Sequence, residues 1–228
     1  MIRILQIETA TQVCSVALSE NGKTISSKEV MAPNIHAGSL TLFIKEVVSS
    51  ANLSFSDLDA IAVSKGPGSY TGLRIGVSTA KGLCFALDKP LISVGTLDLM
   101  ADGFLRLYPD HSGLVCPMID ARRLEVYTAL YNPKMIALQP VSAKIIDGSS
   151  FSEDLSSNKI SFIGDGAAKC EALLNSENAT FSTLNFNSAL NMSELAYTAF
   201  NEKRFEDVAY FEPFYLKDFM LTMPKKQF

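Results

Sequence analysis

The segment with the most chemical potential is Lys65-Gly66-Pro67-Gly68-Ser69-Tyr70-Thr71-Gly72-Leu73-Arg74-Ile75-Gly76, set between a short apolar run and a helical stretch. Its glycines let the backbone turn sharply and approach another group closely. The helix that follows presents unpaired N–H groups, with Thr71 as the candidate N-cap. Such a loop could cradle a nucleotide or another anion through Gly66, Gly68, Ser69, Thr71 and Gly72; the competing reading is a tight turn with close helix packing. It is not a Walker A loop, because Gly72 is followed by Leu73 and no lysine is placed to reach a terminal phosphate. Nor is it a dinucleotide-binding turn, since it follows the fourth strand and spaces its glycines G-x-G-x-x-x-G.

Two carboxylates hold equivalent places. Glu8 ends the first strand of the chain and Asp120 ends the first strand of its second half. Such a pair could hold a hydrated magnesium over a cleft, or could accept turn and backbone hydrogen bonds. The two histidines, His36 and His111, lie 75 positions apart, which excludes a histidine-based zinc site and leaves Ser69 without a triad. His36 reads as a capping or surface residue at the start of a helix, and His111 as a solvated loop residue. Cys14, Cys84, Cys116 and Cys170 stand more than 30 residues apart in apolar settings, the pattern of buried free thiols. Gly164-Asp165-Gly166 is a second strand-to-helix turn, against which an adenosine could pack. Arg122-Arg123 is the strongest local cationic pair, on a hairpin turn otherwise read as solvated.

The elements that must position these residues follow from periodicity. Strands are expected over 2–7, 13–18 and 24–30, with Asn21-Gly22 as a hairpin turn. From Ser39 the apolar period becomes helical, through Leu40, Phe43, Ile44, Val47, Val48 and Ala51. A strand over 60–63, a helix over 71–87, a strand over 91–94 and a helix over 96–107 complete the first half. The second half repeats the order, with strands over 114–119, 125–131 and 141–146, a short helix over 151–155, a strand over 160–163, and helices over 167–174 and 188–200. Both halves thus read β-β-β-α-β-α. The helix after the glycine loop carries Gly72, Gly76, Ser78, Ala80, Gly82 and Ala86. Each glycine costs about 1 kcal/mol relative to alanine. Close approach of another helix, within the lobe or across a subunit interface, would offset that cost.

The 228 residues allow one large domain or two small lobes; 47% hydrophobic and 19% charged residues exclude wholesale disorder. A net charge of -4 excludes a globally basic nucleic-acid binder and leaves room for a local basic patch. No apolar run is long enough to span a bilayer, and 1–6 reads as a strand rather than a leader, so a cytoplasmic protein is expected.

Ile4-Leu5-Gln6-Ile7-Glu8-Thr9-Ala10-Thr11, the 66–76 string, Ala80-Lys81-Gly82-Leu83, and Ile119-Asp120-Ala121-Arg122-Arg123 with Glu125-Val126-Tyr127 resemble the bacterial TsaB (YeaZ) family of tRNA threonylcarbamoyladenosine biosynthesis. The ending Glu212-Pro213-Phe214-Tyr215-Leu216-Lys217-Asp218 resembles it too, and the likeness is densest over 1–127. The resemblance implies an α/β, actin-like (sugar kinase/Hsp70/actin) fold of two ribonuclease-H-like lobes. These would be residues 1–103, with the partner-binding helices, and a smaller lobe over 104–228 whose last helix or tail returns to the first.

It further implies a non-catalytic scaffold that dimerises with a TsaD-like catalytic subunit and recruits a TsaE-like ATPase. That complex transfers threonylcarbamoyl to the adenosine adjacent to the anticodon in tRNAs reading ANN codons. The family's first two helices bundle with those of the partner, which assigns His36, Leu40, Phe43, Leu73, Arg74, Gly76, Val77, Ala80 and Leu83 to the interface. No metal or cofactor is expected in the isolated chain; a nucleotide and magnesium could enter only in the complex. tRNA is reached through the complex, no membrane is involved, and when the partner is missing either a monomer or a homodimer through the same surface is open. Glu8 stands where the family has aspartate and Tyr70 where it has phenylalanine, and the longer Glu8 argues against magnesium–nucleotide binding here. The alternative is an actin-like ATPase or kinase using Glu8, Asp120 and the glycine loop.

Overall fold

Successive side chains of the first strand point to opposite faces, Ile4 to one and Leu5 and Ile7 to the other, and all three are fully buried. That strand, β1 (Arg3–Glu8), is the middle of a five-stranded sheet in a computed structural model that describes residues 1–217. The others are β2 (Val13–Glu20), β3 (Lys23–Met31), β4 (Ala60–Gly66) and β5 (Leu91–Gly95), in the order β3-β2-β1-β4-β5. β1, β2 and β3 pair antiparallel, while β4 and β5 add in parallel. Asn21 and Gly22 both have positive φ, the backbone a two-residue hairpin turn requires.

Helices α1 (His36–Ser50) and α2 (Tyr70–Leu87) pack side by side on one face of this sheet. Leu40, Phe43, Ile44, Val47 and Val48 of α1 and Val77, Ala80 and Cys84 of α2 close over Leu5, Ile7, Val16, Leu18, Ile61 and Val63. On the other face α3 (Thr96–Leu107) touches β4 and β5 and also β6 (Leu114–Asp120) and β7 (Glu125–Tyr131) of a second sheet, so one core runs between the lobes. α3 is continuous across residues 103 and 104. The second sheet adds β8 (Ala137–Ile145), β9 (Ile160–Ile163) and β10 (Ala179–Ser182), in the order β10-β9-β6-β7-β8. Its outer face is covered by α4 (Ser152–Ser157) and a 3-10 turn, Ala168–Cys170. α5 (Ser193–Asn201) returns to the first sheet and shares a core with α3.

Three elements differ from expectation. Residues 167–174 form no α-helix: Cys170 N donates to Ala167 O and Leu173 N to Cys170 O, a tight winding that turns Ala167, Cys170 and Leu174 into the core. So short a segment gains too few hydrogen bonds to sustain a regular helix. The strand expected over 141–146 begins at Ala137, because Asn132 Oδ1 accepts from Lys134 and Ile136 and closes the preceding turn there. The helix expected over 188–200 divides into a 3-10 turn, Ala189–Met192, and α5. β10, unassigned from sequence, is a four-residue edge strand paired, among the described residues, with β9 alone.

After α5 the chain crosses the first lobe as a strap. Leu91 and Glu206 form an isolated bridge, Lys81 Nζ donates to Ala209 O and Phe211 O, and Phe214 N donates to Lys65 O at 2.7 Å. Asp218 of the family-like ending, and the expected second lobe from 218 to 228, lie outside the described residues. No helix among the described residues is long and apolar enough to cross a membrane.

Candidate functional site

The glycine loop is closed by the chain itself. A Cβ on Gly66 would stand 2.7 Å from Phe214 O, one on Gly68 2.5 Å from Ala10 O, and one on Gly72 2.1 Å from Thr9 O. All three neighbours are carbonyl oxygens, the wrong polarity to admit an anion. Ser69 N is committed to Ala10 O at 2.6 Å, and Ser69 Oγ caps α2 by accepting from Gly72 N at 3.3 Å. The N-cap is therefore Ser69, not Thr71, which is exposed on the first turn. The expected anion cradle of Gly66, Gly68, Ser69, Thr71 and Gly72 is instead a packing surface for the turn between β1 and β2.

That turn joins most of what the sequence singled out. Thr9 Oγ1 donates to Gly72 O at 2.8 Å, and a Cβ on Gly76 would meet Thr9 Oγ1 at 2.3 Å. Thr11 Oγ1 donates to Asn187 Oδ1 at 2.6 Å. His36 is 7% exposed, with Nε2 3.1 Å from Thr9 O and 2.8 Å from Thr11 O. Both partners are acceptors, so Nε2 carries the proton, and the ring pins α1 to the turn rather than facing solvent. Thr9, Thr11 and Asn187 were missed from sequence, where the only signal was the Thr-Ala-Thr run after Glu8.

Glu8 is fully buried beside this turn; Oε1 accepts from Ala10 N at 2.5 Å. Burial pushes its carboxyl up to about 7, against the pull of the Ala10 amide. Ser64 and Asn187 lie against it, yet neither Ser64 Oγ, Asn187 Nδ2 nor Glu8 Oε2 completes a well-formed hydrogen bond among the described residues. Asp120 is exposed, and its Oδ1 accepts from Arg122 N at 2.9 Å and pairs with Lys169. Asp165 Oδ1 accepts from Asp120 N at 3.0 Å, and local desolvation raises the Asp165 carboxyl above the usual range although the residue as a whole is exposed. Asp120, Asp165, Thr11, Gln12 and Asn187 line an interlobe cavity of about 240 Å³. A sealed Glu8, its carboxyl pushed up by burial, and an Asp120 held by a lysine do not fit a magnesium–nucleotide. Among the described residues no group of three or more His, Cys, Asp or Glu is placed to hold a metal ion.

The helices present two different faces. Leu40, Phe43, Leu73, Gly76, Val77 and Ala80, expected at a partner interface with His36, are all buried inside the lobe. This corrects the assignment: a helical apolar stripe marks the face turned to the chain's own sheet. Of the expected set, Arg74 is exposed and Leu83 partly so. The outward face instead carries Gly38, Thr41 and Leu42 of α1 and Ser78, Gly82, Phe85 and Ala86 of α2. Phe85 is 86% exposed and Leu42 61%. A Cβ on Gly38 or Gly82 would meet nothing within 4 Å. This is a low surface with two apolar projections, suited to close approach by another pair of helices.

The β6–β7 hairpin tip holds Arg122 and Arg123 at φ 73° and 52°, a left-handed backbone that costs arginine roughly 1 kcal/mol or more per residue. The Arg122 amide on Asp120 Oδ1 fixes that shape. His111 is partly buried, edge-on to Phe104 at 5.0 Å, rather than solvated. The four cysteines are buried free thiols.

A family model described as TsaD, tRNA N6-adenosine threonylcarbamoyltransferase, matches residues 29–224. The chain is 39% identical over 130 residues to the tRNA threonylcarbamoyladenosine biosynthesis protein TsaB of Escherichia coli (strain K12), covering 57% of this chain and 55% of that protein. The aligned stretch thus spans about half the length of that relative. With TsaB of Haemophilus influenzae the identity is 28% over 226 residues, covering 95% and 94%. A tRNA N6-adenosine threonylcarbamoyltransferase of Staphylococcus haemolyticus is 40% identical over 107 residues, covering 40% of this chain and 31% of that protein. Among solved structures, YeaZ from Pseudomonas aeruginosa matches with a TM-score of 0.83 at 27% identity, covering 95% of this chain and all of that one. The activator of 2-hydroxyisocaproyl-CoA dehydratase from Clostridium difficile, at 10% identity and a TM-score of 0.53, shares the fold alone. The fold is the α/β, actin-like plan.

Proposed function

Since the chain belongs to the TsaB (YeaZ) family, within the wider group described by the TsaD model, we propose that it serves tRNA threonylcarbamoyladenosine biosynthesis as a scaffold for a TsaD-like catalytic subunit. The observation that carries this is the outward face of α1 and α2, where Gly38 and Gly82 leave open space beside the projecting Leu42 and Phe85. A TsaD-like subunit is a fitting occupant, because the likeness to the Staphylococcus haemolyticus transferase suggests two chains of common plan that can set matching helices together. The interface therefore consists of Leu42, Ser78, Gly82 and Phe85 with Arg74 and Leu83, rather than the buried stripe.

The cleft supports a scaffold rather than an enzyme. Glu8 is enclosed, Asp120 is tied to Lys169, and the glycine loop is filled by Ala10, Thr9 and Phe214 carbonyls, so among the described residues the cleft offers no nucleophile–base pair and no phosphate cradle. The catalytic groups and the metal then belong to the partner, a TsaE-like ATPase joins the pair, and tRNA is engaged by the assembly. Without its partner the chain self-associates through the same face. The test is threonylcarbamoylation of tRNA across size-exclusion fractions of this chain, the TsaD-like subunit and their mixture. Activity confined to the heterocomplex supports the scaffold; equal activity from the partner alone removes it.

A further inference from the structure

A second surface, meeting the outward α1–α2 face only at Arg74, runs from the start of α2 over the C-terminal strap to the β6–β7 hairpin. The Arg74 guanidinium lies 5.6 Å from the centre of the Tyr70 ring, and Tyr70 packs against Tyr215 in a tilted pair, with centroids 4.6 Å apart and planes 32° from parallel. Two residues on, Lys217 pairs with Glu125 at the base of the hairpin. At its tip Arg122 and Arg123 are both exposed, and neither has an ion-pair partner among the described residues. Glu125 N donates to Arg122 O at 3.1 Å, so the Lys217–Glu125 pair sets the strap beside the hairpin turn. The acids closest to the tip are engaged, Asp120 by Lys169 and Glu125 by Lys217; Glu212 on the strap is exposed.

Guanidinium groups alternating with aromatic rings form the arrangement that holds unpaired nucleic acid, phosphates on the cations and bases on the ring faces. An acidic peptide would use the arginines but gain nothing from the Tyr70–Tyr215 pair, and this favours RNA. We propose that this stripe is a contact surface for an unpaired stretch of RNA, with Arg122 and Arg123 holding phosphates and Tyr215 stacking a base; it rests on the reading that the chain works on tRNA. The net charge of -4 makes it a local contact that adds to binding by the complex.

The test uses the full chain, a fluorescein-labelled RNA hairpin with a seven-nucleotide loop, and anisotropy at several salt concentrations. Arg122→Asn combined with Arg123→Gly removes both cations and keeps a left-handed turn, so the hairpin is retained. This variant should bind about 10-fold more weakly and flatten the slope of log affinity against log salt by roughly 1 to 1.5, the loss of two phosphate contacts. Tyr215→Leu should weaken binding about 5-fold or more with the slope unchanged. Unaltered binding by both variants overturns the proposal, as does no hairpin binding by the unmodified chain at low salt. Equal competition by a glutamate-rich peptide also overturns it, in favour of an acidic protein partner. Gly82→Leu should bind the hairpin as the unmodified chain does. If the unmodified chain forms no complex with a TsaD-like subunit while the RNA results hold, it is the scaffold reading that fails.

Discussion

Each sheet runs third, second, first, fourth and fifth strand of its own half, yet the first half follows its third and fourth strands with helices of 15 and 18 residues, α1 and α2. The second half has the six-residue α4 and a three-residue 3-10 turn in their places. The short pieces close their core well enough, with Phe151 edge-on to Phe162 and Phe162 stacked on Phe181. Covering such a sheet therefore needs less helix than the first lobe supplies. The excess is a broad outward surface of small residues, and that is where a partner-binding role has room to reside. The inward faces obey the opposite demand, because Gly72 and Gly76 press on Thr9 while Gly82, on the same helix, faces open space.

This contrast can be broken most directly on α2 itself. Gly76→Leu should cost the first lobe several kcal/mol, since the added carbon must occupy the place of Thr9 Oγ1. Gly82→Leu should leave the melting temperature unchanged or raise it, as a helix former replaces glycine at an open site worth about 1 kcal/mol. Melting curves of the two variants check this, and similar losses in both would dissolve the distinction between the faces. Phe85→Glu should reduce affinity for a TsaD-like subunit at least about 10-fold with the melting temperature unchanged, read by calorimetry of the mixed chains.

A third comparison sets the sealed Glu8 against its exposed counterpart Asp120. Unfolded, Glu8 titrates near 4.5; folded, near 7. Between these values the folded state holds the extra proton, so stability falls as pH rises through that window and stays reduced above it. Glu8→Gln should then be more stable than the unmodified chain at pH 8, by up to about 3 kcal/mol, with the gain fading toward pH 4.5. A gain that instead grew as pH fell would contradict the burial account. The smallest effect expected is at the seam between lobes, where Tyr131 on β7 donates to Asp98 Oδ1 on α3 at 2.7 Å. Tyr131→Phe should cost about 1 kcal/mol in denaturant unfolding without altering assembly.

Much of the scaffold was legible because its signals are local. Helix 96–107 and strands 125–131 and 160–163 are found at the residues their periodicity marks, and Asn21-Gly22 makes its hairpin. The site was less legible because its contacts are distant in sequence. Gly72 meets Thr9 across 63 positions, and Thr11 meets Asn187 across 176. Periodicity separates apolar from polar faces, but α2 is small-residue-rich on both, so Gly76 and Gly82 look alike until the β1–β2 turn is placed. The apolar stripe of α1 and α2 was assigned to the interface on the family resemblance, although hydrophobic burial turned it in. Glu8 reads as a cleft acid by position, and only the three-dimensional surroundings show it enclosed.

The central claim, that the outward α1–α2 face and no other surface holds the partner, is tested most directly by light scattering on mixtures of a TsaD-like subunit with the unmodified chain, Gly82→Leu, and Leu138→Glu. Leu138, exposed on β8, serves as the comparison site on the second lobe. The predicted result is a heterocomplex with the unmodified chain and with Leu138→Glu, and none with Gly82→Leu. A heterocomplex formed equally by all three, or lost with Leu138→Glu alone, would contradict it.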